Sequence, residues 1–209
     1  MLDYRAAAAL VTLGVAPLAG AELLSYDYIE PAYVLDAELE GEAATLDGDG
    51  IAFSGAKAIG RYAFVGGEFI NRDLEVLGQE FGWDTSELFA GLHYPLPAWR
   101  EVRADLYARG GYARLSETVF SQDWDGYGLG AGVRVGVGEL FEFQAGLTHQ
   151  DLELDSSDGE TSRTAYELGA LYQFIDWLGV SLAYRHGDYE DELDFLTLEE
   201  WRLGARLTF

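Results

Sequence analysis

Nine ionisable residues, Glu68, Asp105, Arg109, Arg134, Glu142, Glu167, Arg185, Arg202 and Arg206, lie among glycines and small residues on one face of alternating segments. Guanidinium and carboxylate groups gathered in a water-poor interior could do either of two things. They could form a charge ladder that selects ions, or a neutralised plug whose members satisfy one another. A hydrolytic alternative rests on His186, close in sequence to Asp188, Glu190 and Asp191, because a carboxylate-oriented imidazole can activate water. His93 and His149 are isolated, no HxxxH spacing occurs, and no serine beside them reads as a nucleophile. Cysteine is absent, which excludes thiol chemistry and disulfide scaffolding. The expectation is that the protein is not an enzyme and that no cofactor is required.

A second set of residues suggests metal chemistry. Asp47, Asp49, Asp151, Glu153, Asp155, Asp158, Glu190, Asp191, Glu192 and Asp194 carry hard oxygen atoms suited to divalent cations. Yet Asp47-Gly-Asp-Gly50 lacks the leading Asp and closing Glu of an EF-hand loop. A solvated acidic surface is the simpler reading, with divalent cations as candidate partners and no committed metal site.

The elements that would position these side chains are strands. Alternation and turn chemistry place ten of them at 25–37, 50–59, 62–72, 86–95, 104–115, 126–137, 140–151, 163–174, 178–189 and 198–209. Each is near the ~9–11 residues that cross a bilayer at a tilt. The last strand is the clearest: Trp201, Leu203, Ala205, Leu207 and Phe209 share one face, and Arg202, Gly204, Arg206 and Thr208 the other. Gly60-Arg61 and Gly138-Glu139 read as tight turns, whereas 38–49, 73–85, 116–125, 152–162 and 190–197 read as longer acidic loops. Pro31 marks a bulge or kink in the first strand.

Alternation alone leaves open which face is outside. With the bulky face inward, as in a soluble ligand-carrying barrel, Gly128, Gly130, Gly132 and Gly136 would leave a bare surface in water. With the bulky face in lipid, those glycines make room for Arg134, Arg185, Arg202 and Arg206. Tyr62, Tyr94, Trp99, Phe141, Phe174, Trp177 and Phe209 fall near one rim, and Trp83, Trp124, Tyr127 and Trp201 near the other, as two interfacial girdles would. The fold expected is therefore all-β: an antiparallel transmembrane β-barrel of about ten strands, with eight as the alternative. Because small barrels have interiors that side chains nearly fill, the plug is favoured over the ladder.

Targeting signals agree. After a short start with one arginine, an apolar run over 6–19 ends in Ala19-Gly20-Ala21, a small-x-small cleavage pattern. Residues 1–21 are expected to be a signal peptide and 22–209 the barrel domain. The net charge of -24 argues against nucleic-acid binding. Lys57 is the only lysine, a composition similar to that of secreted proteins of salt-tolerant bacteria.

Ser25-Tyr-Asp-Tyr-Ile-Glu30, Asp49-Gly-Ile-Ala-Phe-Ser-Gly-Ala-Lys-Ala58, Asp105-Leu-Tyr-Ala-Arg-Gly-Gly-Tyr112 and Gly126-Tyr-Gly-Leu-Gly-Ala-Gly-Val-Arg134 carry a family likeness. The chain resembles small Gram-negative outer-membrane barrels, most closely the diffusible-signal-factor-regulated group and more remotely the OmpA/OmpX-like superfamily. That resemblance implies a cell outer membrane location, periplasmic termini and contact with outer-membrane lipid and lipopolysaccharide. It also implies an assembly signal at Trp201, Leu203, Leu207 and Phe209 for the barrel-assembly machinery. The acidic extension at 73–85 and the Pro95-Leu-Pro97 turn depart from the family, which transfers no catalytic residues. The expected role is structural or surface-interactive for a monomer, with a narrow porin-like channel as the alternative and a rim hydrolase behind it.

Overall fold

The computed structural model describes residues 24–41, 44–76, 78–118, 122–154, 159–191 and 195–209. The expected signal peptide therefore lies outside the described residues, as do Asp155, Asp158, Glu192 and Asp194. Ten strands are present: β1 (Tyr28–Glu40), β2 (Thr45–Ile59), β3 (Ala63–Val76), β4 (Gln79–Pro95), β5 (Val102–Glu117), β6 (Gln122–Val137), β7 (Phe141–Leu154), β8 (Glu160–Ile175), β9 (Leu178–Asp191) and β10 (Phe195–Thr208). Each pairs antiparallel with the next, and β1 pairs with β10 to close the barrel. The strand count is ten, not eight. Closure leaves no free edge strand, so backbone groups pair around the whole cylinder apart from the bulges in β1 and β8, as a bilayer demands.

At the end bearing both termini, the strands are joined by 60–62, 96–101, 138–140 and 176–177. Gly60 (φ 71°) and Gly138 (φ 64°) adopt the left-handed conformation there, which explains glycine at each turn. The first-strand irregularity falls between Val34 and Asp36, not at Pro31, which pairs with Phe53 and faces outward. Leu35 and Asp36 are consecutive exposed residues, so this bulge restores the alternation.

The opposite end corrects the expected loops. The strands continue through most of 38–49, 73–85, 116–125, 152–162 and 190–197, leaving only 41–44, 77–78, 118–121, 155–159 and 192–194 between them. Asp47-Gly-Asp-Gly50 forms no turn: Gly48 pairs with Leu74 and Asp49 with Asp73. The expected acidic loop at 73–85 is a hairpin in which Leu74 pairs with Phe81 and Arg72 with Trp83. Turn-prone residues stay extended because each has a ladder partner, and the close backbone approach at Gly48 leaves no space for a side chain.

These strands of 13 to 17 residues overshoot the ~9–11 that a bilayer needs, and their polarity inverts along the way. In β10 the outward residues Trp201, Leu203 and Leu207 are apolar and the inward ones include Arg202 and Arg206. One step beyond Trp201, Glu199 points outward and Leu198 is fully buried inside. The same inversion places Asp47 and Asp49 outside and Leu46 inside in β2, and Glu153 outside and Leu152 inside in β7. Over its lower part the barrel is apolar outside and polar inside, the transmembrane arrangement. Beyond that belt it is built like a water-soluble barrel.

The girdles need one correction. Tyr94, Trp99, Tyr127 and Trp201 are exposed on the outer wall, but Trp83 is buried inside and Trp124 packs beside it. Both fall above the polarity inversion, where the inward face is the apolar one.

Candidate functional site

Inside the belt the ionisable side chains are arranged in tiers. Nearest the termini, Arg134 donates from Nε and Nη2 to the two carboxylate oxygens of Glu142 at 2.7 and 2.9 Å, a bidentate pair. Arg206 reaches the same carboxylate at 3.3 Å and donates to Glu30 at 2.6 Å, lying over the Tyr28 ring. Arg134 also donates to the carbonyls of Leu24 and Ser25, at 3.3 and 3.1 Å. Those bonds hold the segment preceding β1 across the barrel mouth. Tyr26 in that segment stacks on Phe64 and His93, with ring centroids 4.3 and 4.5 Å away, and lies under the Arg134 guanidinium.

The middle tier is a four-membered knot. Arg185 and Arg202 each contact both Glu68 and Glu167; the Arg185 distances are 2.7 and 2.6 Å and Arg202 is 2.7 Å from Glu68. Gln144 donates to Glu167 from the next strand at 2.8 Å. Arg109 stands apart: its nearest carboxylate, Glu87, is 3.6 Å away, and it lies over the Phe89 ring with Thr148 at 3.4 Å.

Above the knot lies a pair absent from the nine. Arg72 donates from Nε to Glu200 at 2.6 Å, and both side chains are wholly shielded. Glu200 also has Arg202 and Arg185 at 3.7 and 3.9 Å. Isolated charges there would carry a desolvation cost of several kcal/mol each, which only mutual pairing offsets. The apolar cluster begins around this tier, with Ile70 one inward step below Arg72 on β3, and continues over it with Leu74, Leu115 and Leu198. The barrel is therefore capped by a hydrophobic core at one end and by the Tyr26 segment at the other.

Of the nine sequence candidates, eight join carboxylate–guanidinium contacts and Asp105 does not. Asp105 is buried but faces His93, whose Nδ1 lies 2.9 Å from its carboxylate. His93 is therefore an interior residue and not a girdle or loop histidine. Its neighbours on β4, Glu87 and Phe89, share its inward face, so the strand's parity carried this signal. Parity also carried Arg72, which shares the face of Glu68, and Glu200 and Arg163, which share those of Arg202 and Glu167.

His186 lies on the outer wall. Its ring stacks on Tyr166 at 4.8 Å and faces Glu199 and Asp188 at 3.0 and 3.2 Å. His186 and Asp188 thus come together as expected, with Glu199 as a second carboxylate on the ring. Among the described residues, no group of three or more His, Asp or Glu side chains is arranged to hold a metal ion. At the carboxy terminus, Trp201 and Leu203 are exposed to the lipid side, and Leu207 and Phe209 are half-buried. The Phe209 ring lies 5.2 Å from Lys57 Nζ of β2, which pairs at 3.1 Å with Asp27 just before β1.

No family model matches the sequence, and a search of curated proteins finds no match. Among solved structures, Neisserial surface protein A is 14% identical over 88% of this chain and 98% of its own, with a TM-score of 0.48. An outer membrane channel from Pseudomonas putida F1 is 12% identical over 94% and 100%, with a TM-score of 0.49. The attachment invasion locus protein of Yersinia pestis, in complex with the heparin analogue sucrose octasulfate, is 14% identical over 88% and 97%, with a TM-score of 0.37.

Proposed function

We propose that the protein is a closed outer-membrane barrel that anchors an acidic collar above the bilayer, with a structural and surface-interactive role and no transport through its lumen. The observation that carries this is the inversion of polarity along the strands. The same ladder that is lipid-facing below stands in water above, with Asp and Glu outside and an apolar core inside. A conducting pore needs a continuous wet path, whereas here paired charges are stacked beneath a hydrophobic cap.

In this reading the termini are periplasmic, residues 1–21 are removed on export, and the collar meets lipopolysaccharide through solvent-exchanging divalent cations rather than a built site. Trp201, Leu203, Leu207 and Phe209 then serve as the signal to the assembly machinery, and Phe209→Ala slows membrane assembly in cells without lowering the stability of the assembled barrel.

Planar-bilayer recording of the refolded barrel tests the central claim. The wild type is expected to be silent under conditions where folding is established by resistance to protease. Stable single-channel steps from the wild type would overturn the closed-barrel reading and favour a narrow channel.

A further inference from the structure

Between the mouth and the Arg72 tier the lumen holds a cavity of about 110 Å³ lined from all ten strands. Glycines at 128, 130, 132 and 146 make room on β6 and β7 for the side chains of Gln150, Arg109 and Tyr107 that lie over them. The four carboxylates lining the cavity, Glu30, Glu68, Glu87 and Glu167, face six arginines. Arg134 is balanced by Glu142. Arg163 has no carboxylate within ion-pair distance among the described residues, and lies over the Tyr189 ring at 5.2 Å from its centroid. It is 93% shielded, its Nη1 reaches only the amide oxygen of Gln150 at 3.3 Å, and its Nε has no acceptor. Arg109, on the same cavity, is held by one long carboxylate contact, by Thr148 and by the Phe89 ring.

A buried guanidinium without a counter-charge is costly, and a cavity beside it offers the remedy. We propose that this cavity is a binding site for one small oxyanion, of the carboxylate or phosphate class, held between Arg163 and Arg109 with Gln150 and Thr148 as its polar flank. Planar guanidinium groups suit such ions through paired N–H donors. The volume admits an ion with a few waters and excludes anything of nucleotide or sugar-phosphate size. The site accounts for a charge that the closed barrel does not itself explain.

The test uses the chain refolded from urea in detergent micelles with inorganic phosphate or acetate present throughout, so that access to the lumen is not limiting. Ionic strength is held constant with a sulfonate buffer too bulky for the cavity. The urea midpoint of the wild type is expected to rise with phosphate or acetate and saturate. Arg163→Gln is expected to be at least as stable as wild type without the ion, because it removes an uncompensated charge, and to show no rise with it. Arg163→Lys retains part of the rise, and Arg109→Gln weakens the ion's apparent affinity by about tenfold or more. No rise in the wild type, or an equal rise in Arg163→Gln, would overturn the proposal. Loss of stability in Arg163→Gln that is the same with and without the ion would also overturn it.

Discussion

Glu200 and Arg72 form the most deeply shielded ion pair in the barrel, and the surroundings of its two halves are unequal. Replacing Glu200 with Leu removes the only carboxylate within ion-pair distance of Arg72 among the described residues, leaving the Trp83 carbonyl at 3.5 Å and the Thr85 hydroxyl at 3.2 Å to serve a full positive charge. Breaking a buried pair in this way costs about 3–5 kcal/mol. Replacing Arg72 with Met instead leaves Glu200 flanked by Arg202 at 3.7 Å and Arg185 at 3.9 Å. A unit-charge pair at ~4 Å contributes roughly 4 kcal/mol at an effective dielectric near 20, so the carboxylate stays compensated. The cost should then fall to about 1.5–3 kcal/mol, the loss of one charged hydrogen bond. With both residues replaced no orphan remains, and the double variant should lie within about 2 kcal/mol of wild type. Urea unfolding in micelles, followed by tryptophan fluorescence and checked by protease resistance, resolves these differences as midpoint shifts of about 1 M or more. Equal losses from the two single variants, or strict additivity in the double, would refute the reasoning.

Other consequences are smaller or more local. A methyl group at Gly132 would meet the Ala145 carbonyl at 2.4 Å as well as the Tyr107 hydroxyl, so Gly132→Ala should cost about 1–3 kcal/mol and Tyr107→Phe should not rescue it. At Gly146 the close neighbour is the Tyr107 hydroxyl alone, at 2.6 Å, so Gly146→Ala should be mild and rescued by Tyr107→Phe in the same unfolding assay. Tyr26→Ala removes two ring contacts and a cation–π contact at the mouth, and amide exchange over Ser25 to Asp27 should quicken about tenfold or more while the strands are unaffected. Lys57→Ala breaks a half-exposed pair with Asp27 and should shift stability by less than about 1 kcal/mol, vanishing in molar salt.

Much of this molecule is legible in its sequence because strand periodicity is local. Alternation along 198–209 assigns Arg202 and Arg206 to one face and Trp201 and Leu203 to the other without reference to any other strand. Glycines 60 and 138 mark turns by their own backbone freedom. The loops were misjudged because Asp and Gly in Asp47-Gly-Asp-Gly50 favour turns only where no partner strand competes for their backbone groups. The alternation of Leu46 and Leu74 with exposed acids was already present there, but with its polarity reversed.

Partner choice was not legible. Whether Arg72 meets Glu200, whether Asp105 meets Arg134 or His93, and whether Arg163 meets any carboxylate depend on strand number, stagger and closure. Those are properties of the whole cylinder. A face is fixed residue by residue along a strand, but the height of each side chain relative to one across the lumen is set only when β10 closes on β1. Strand periodicity alone is enough to specify a barrel with charges inside. Closure of the cylinder sets which charges cancel, where the wall leaves the membrane, and which arginine is left without a carboxylate in reach.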